Sequence, residues 1–127
     1  MGEDLVAALH FYPDSVTGVV GDARNPNTLI KKLARPEDVV VFKLDVDTAP
    51  VETAIMQQVV GDSELRLLVD EFFFEMHLCH HVMRKHGMDC DSPKIRAGAK
   101  KRLPSMDTWY GVAGPARERG LRMHYWP

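Results

Sequence analysis

The sequence predicts an α/β domain: a mainly parallel sheet of about four strands with helices on both faces. Three observations carry this expectation. Val39-Val40-Val41-Phe42 is a run of apolar β-formers bounded by Pro36 and Pro50, the mark of a strand buried on both faces. Residues 67–75 (LLVDEFFFE) repeat the pattern with three consecutive phenylalanines. Between them Val51, Ile55 and Val59 fall at i, i+4 and i+8, the stripe of an amphipathic helix. Two buried strands joined by a helix imply parallel pairing and a right-handed crossover.

Residues 5–12 (LVAALHFY) are apolar, with a helix end at 5–9 and His10 leading towards a strand. Pro13-Asp14-Ser15 is a turn, and residues 16–20 form a short strand candidate interrupted by Gly18. After a loop over 21–25, Asn25 or Asn27 caps a helix that includes residues 28–33, with Pro26 tolerated in its first turn. Pro36 stops it, and the first strong strand runs on to Asp45 and Asp47. The helix that starts at Pro50 ends at Gly61, and residues 63–67 make a short helical turn before the phenylalanine strand. Residues 76–86 are rich in histidine and end at Gly87 in a helical pattern. Residues 88–101 are irregular. Ser105 or Asp107 caps a last helix towards Arg119, which Gly111, Gly114 and Pro115 weaken or kink. Gly120 closes it, and residues 121–126 (LRMHYW) alternate as a final strand.

The whole of 1–127 reads as a single domain of ordinary globular composition, 45% hydrophobic and 27% charged. A formal net charge of -2 leaves no global positive field for nucleic acid. No stretch is long and apolar enough for a membrane span. The two cysteines, Cys79 and Cys90, and the lack of a signal-peptide pattern point to a reducing cytoplasmic or organelle interior. Five cations over 94–102 have no aromatic stacking partners among them, so they read as a solvated loop or protein contact.

Chemistry concentrates where the strands end. If the strand conformation holds through both, Asp45 and Asp47 point to the same side. Should the two strong strands be neighbours, about 4.8 Å apart, Glu75 and His77 face them. Three carboxylates and an imidazole suit a hard divalent cation, Mg²⁺ or Mn²⁺. The competing reading has Asp47 capping the next helix and Glu75 solvated or paired with Lys43. His77 and His81 stand at i, i+4, but without a His-Glu-x-x-His pattern a polar helix is the simpler account than zinc. His10 and His124 sit at strand ends among aromatic residues. His124 is a candidate general base, or a hydrogen-bonded rim residue. No Gly-x-Ser-x-Gly elbow is present.

Val39 to Glu52 (VVVFKLDVDTAPVE), residues 68–77 (LVDEFFFEMH) and the closing GLRMHYWP resemble the C-terminal half of a class I S-adenosylmethionine-dependent methyltransferase, more narrowly the FkbM-like group. There a strand ending Lys-x-Asp-x-(Asp/Glu), here Lys43 to Asp47, precedes one ending Phe-Glu-x-His, here Phe74 to His77. The resemblance covers about residues 36–80 and 105–127. It implies a Rossmann-like partial methyltransferase fold whose final strand is antiparallel, S-adenosylmethionine as cofactor, and methyl transfer to an oxygen of a small molecule or glycan. It further implies Asp45, Asp47 and His124 as catalytic groups and Glu75 and His77 on the substrate side. A metal at Asp45, Asp47, Glu75 and His77 is similar to the site of catechol-type O-methyltransferases. The glycine-rich cofactor half is absent: Gly18 and Gly21 are separated by Val-Val. From another class comes a non-catalytic accessory subunit that docks a protein partner, or a second copy, through an open sheet edge. A metal-dependent glycosyltransferase is a third reading, since Asp45-Val46-Asp47 fits an Asp-x-Asp motif.

Overall fold

Asn25 starts the first helix among the described residues. Its Oδ1 accepts the Asn27 backbone N–H at 2.9 Å, satisfying a donor that the helix itself cannot. Helix α1 (Pro26–Leu33) follows, with Lys31 and Lys32 in its last turn, where cations meet the negative end of the helix dipole. The structure, a computed structural model, describes residues 12–75 and 106–126. The expected helices at 5–9 and 76–86, His10, His77, both cysteines and the basic stretch 94–102 lie outside those residues.

Strand β1 (Val41–Leu44) leads to helix α2 (Ala49–Gly61). Helix α3 (Ser63–Leu68) and strand β2 (Glu71–Glu75) come next, then helix α4 (Met106–Glu118) and strand β3 (Arg122–Trp126). The sheet order is β1-β2-β3, and both pairs are parallel, so the fold is α/β and Rossmann-like in character. The antiparallel final strand that the resemblance implied is therefore not found. Helix α4 crosses back between β2 and β3, and a crossover of that kind delivers the chain to the same end of the sheet.

Residues 16–20 are not a strand, and among the described residues the sheet has three strands rather than about four. This segment lies across α2 instead. Gln58 Nε2 donates to the Gly18 carbonyl at 2.7 Å, and a Cβ on Gly18 would stand 2.7 Å from the Ala54 Cβ. The approach is one that only glycine allows.

In register, Phe42, Phe72 and Met123 form one row of the sheet, and Leu44, Phe74 and Tyr125 the next. Phe72, Phe74, Leu44 and Met123 are buried in one cluster with Ile55, Met56 and Val59 of α2 and Ala113 and Ala116 of α4. Residues 52, 55, 56 and 59 thus make the inward face of α2, wider than the expected stripe and including a carboxylate, Glu52. The small Ala113 and Ala116 let α4 settle onto the sheet through a helix that runs unbroken past Gly111, Gly114 and Pro115. Gly120, at φ 94°, ends it, and the Leu121 N–H returns to the Ala116 carbonyl.

The three phenylalanines of β2 alternate in burial rather than being covered on both sides. Phe73 shares the second face of the sheet with Val41, Lys43, Glu71 and His124, which are half-buried or exposed among the described residues. No described helix is long and apolar enough to cross a membrane.

Asp62 joins α2 to α3: its Oδ1 accepts the Glu64 and Leu65 N–H groups, while Oδ2 meets Lys31 Nζ from α1. The Lys31 ammonium holds the Asp62 carboxyl below the usual carboxylate range, helped by the two N–H groups and opposed by burial. A depressed folded-state pKa stabilises above the unfolded value, about 3.9, and the contribution fades as pH falls through the folded value. An NMR titration should find the Asp62 midpoint below that of a free aspartate, and Lys31→Met should raise it. An unmoved midpoint would remove Lys31 as the cause.

Candidate functional site

Strand β1 ends at Leu44, so the two aspartates are not carried on one extended strand as expected. Asp47 has φ 53°, the left-handed region that aspartate tolerates better than most residues. This turn brings Asp47 back to Asp45. It is held from beneath by Glu52, fully buried in the first turn of α2, whose Oε1 accepts the Val46 N–H at 2.9 Å. Thr48 Oγ1 donates to the Val46 carbonyl at 3.2 Å. Thr48, not Asp47, occupies the N-cap position of α2, and no side chain caps that end, which removes the capping account of Asp47.

Parallel pairing of β1 with β2 continues to Leu44 opposite Phe74, so Glu75 arrives beside the turn. Asp45, Asp47 and Glu75 each offer a carboxylate oxygen, and these oxygens lie within 4.8 Å of one another. Asp45 and Asp47 are exposed, Glu75 half-buried. Lys43 Nζ stands 2.7 Å from Asp45 Oδ2, so β1 supplies both an acid and a counter-charge. Carboxylates so close repel, and a cation that bridges them relieves the repulsion. Their oxygens are the hard donors that Mg²⁺ and Mn²⁺ take, so the residues present fit such an ion.

His124 lies on the same sheet face but one step back from the tip, since it registers with Phe73 and not with Glu75. Its ring stacks on Phe73 with centroids 4.6 Å apart, and Nε2 contacts Glu71 Oε2. Glu71 also holds Arg122 Nε at 3.0 Å. The structure thus joins three of the expected site residues, Asp45, Asp47 and Glu75, and places the fourth described one, His124, in a separate ionic cluster.

Two participants escaped sequence reasoning. Glu52 looks like an ordinary first-turn acid of a helix; only its fourfold spacing with Met56 and threefold spacing with Ile55 hint that it faces inward. Glu71 and His124 look unrelated until the final strand is taken as parallel, which puts them on one face of neighbouring strands. For an adenosyl cofactor the described residues offer little. Strand β1 passes to α2 through Asp45-Val46-Asp47-Thr48, which contains no glycine to let a backbone approach a nucleotide.

No protein-family model, no curated protein and no solved structure matches this chain.

Proposed function

We propose that this domain binds a hydroxylated small molecule or glycan through a divalent cation at the tips of β1 and β2, as part of an FkbM-type O-methyl-transfer function. The observation that carries the reading is the convergence of Asp45, Asp47 and Glu75 within 4.8 Å. A cation there supplies Lewis acidity towards substrate hydroxyls. The chain's own part is to hold it: Glu52 fixes the Val46 amide and with it the turn, Asp47 enters from that turn, and β2 delivers Glu75. Lys43 competes with the ion for Asp45.

Titration with Mn²⁺, followed by electron paramagnetic resonance, tests this. The wild type should bind, and Asp47→Ala should bind at least about tenfold more weakly, the scale on which even outer ligand-sphere partners act. Lys43→Met should tighten binding about 2–5-fold, the worth of a surface ion pair. Equal and negligible binding by wild type and Asp47→Ala would sink the reading.

One observation favours a second reading, an accessory subunit that docks through the sheet edge. Among the described residues β1 is paired on one side only, and Val39 and Val41 beside that edge are 81% and 60% exposed. Calorimetry with S-adenosylmethionine separates the two. Heat supports methyl transfer; no heat at millimolar ligand, with a dimer in sedimentation, supports assembly.

A further inference from the structure

Strand β1 has one open side. The Val40 N–H donates to Asp70 Oδ2 at 2.8 Å, and the Val40 carbonyl accepts the Asp70 and Glu71 N–H groups at 2.9 and 3.2 Å. Both polar groups of Val40 therefore face β2. The flanking peptide groups are trans, which sets the Val39 carbonyl and the Val41 N–H on the opposite side. Among the described residues no strand pairs there, and neither group has a partner. An acceptor and a donor thus stand two residues apart on a bare edge, beside the exposed side chains of Val39 and Val41. Natural sheets rarely leave such an edge, apolar and without a blunting charge, to solvent.

That spacing is self-complementary. A two-fold axis beside Val40 sets a second copy of β1 antiparallel to the first. The Val41 N–H then meets the Val39 carbonyl of the second copy, and symmetry repeats the bond in reverse. Val39 and Val41 point to one face of the sheet, so the same step sets each exposed valine beside another. The charges agree with this register. Lys43 comes level with the turn of the second copy that carries Glu37, an exposed acid with no ion pair among the described residues. Sliding one copy by two residues brings Asp45 level with that acidic turn and Val39 level with Lys43. Like charges placed opposite each other destabilise a pair.

We infer that β1 is a self-association edge, on which a second copy of this chain pairs antiparallel, Val41 against Val39, and joins the two sheets into one. This pairing rests on the docking reading of the edge, and it names the partner. The two acidic tips lie at opposite ends of the joined sheet and stay clear of the join.

Sedimentation and amide hydrogen exchange on the full chain test the pairing together. So short a join belongs with the small, transient interfaces, so monomer should give way to dimer between micromolar and millimolar protein. Over that range exchange at the Val41 amide should slow at least about tenfold, while the Phe42 amide, which faces β2, should change little. Val41→Pro deletes the outward donor, a change that edge strands tolerate. Val41→Lys, at an exposed position, sets a charge on the join and serves if the proline variant does not fold. Both should stay monomeric, and Glu37→Lys should weaken the dimer about 2–5-fold. A monomer at millimolar concentration with an open Val41 amide overturns the second copy alone. A monomer with that amide protected at every concentration overturns the docking reading with it, since the edge is then covered from within the chain. A dimer whose Val41 amide exchanges freely, or one that Val41→Lys leaves intact, overturns the pairing as well.

Discussion

Phe72→Ala is expected to destabilise the domain by about 3–5 kcal/mol, a large part of the roughly 5–15 kcal/mol that holds a small domain together. Phe72 is fully buried in the middle strand, with Phe42 on β1 at 5.2 Å between ring centroids and Phe74 at 6.2 Å. Met123 lies opposite on β3. Pairing on both sides pins the backbone of β2, so the void left by the ring cannot collapse. Phe73 provides the contrast one residue along. It is half-buried and stacks on His124 on the second face, so Phe73→Ala should cost about 1 kcal/mol. Urea unfolding of both variants checks the pair. Equal losses would show that the two faces of β2 do not differ in burial as described.

The second large effect is expected at Asn25. Its Oδ1 caps α1, and its Nδ2 ties the Val19 carbonyl and Gln58 Oε1, both at 2.9 Å, to a residue with no exposed surface. Asn25→Ala removes the cap, worth about 1 kcal/mol, and deletes both Nδ2 hydrogen bonds, each worth about 0.5–1.5 kcal/mol, leaving Gln58 Oε1 with Asn27 Nδ2 and the Val19 carbonyl with the Asp22 N–H. A loss near 3 kcal/mol is expected. Asn25→Asp sharpens the test. At an exposed N-cap that exchange is nearly neutral. Here the carboxylate keeps the cap but sets a negative charge against two acceptor oxygens, the Val19 carbonyl and Gln58 Oε1, so it should cost at least as much as alanine. A near-neutral Asn25→Asp would mean that the cap matters and the amide network does not.

Most of the architecture was legible because it rests on local periodicity. The runs around Val41 and Phe72, the spacing of Ile55 and Val59, and the full stops at Pro36, Gly61 and Gly120 place the elements within a few residues. The errors have one source. An apolar run such as Phe72-Phe73-Phe74 says that a strand is hydrophobic, but not whether both faces are covered; that depends on which helices arrive. Residues 16–20 have strand composition, yet Gln58 and Asn25 already engage the Gly18 and Val19 carbonyls.

The acids at the tip were readable as residue types, since Asp45, Asp47 and Glu75 each follow a strong strand pattern. Their convergence was not. It required β1 and β2 to be neighbours and parallel, and it required Asp47 to turn through a left-handed conformation instead of extending the strand.

By itself, then, the amino-acid order determined the alternation of helices and strands and the acidic ends of two of them. Hydrophobic spacing and proline or glycine punctuation act within a few residues of themselves. Tertiary structure alone decided that β3 is parallel, that Glu52 and Asn25 are buried, and that three carboxylates meet beside Lys43. Each of these depends on contacts between residues distant in the chain, whose partners are set by packing and not by neighbours in sequence.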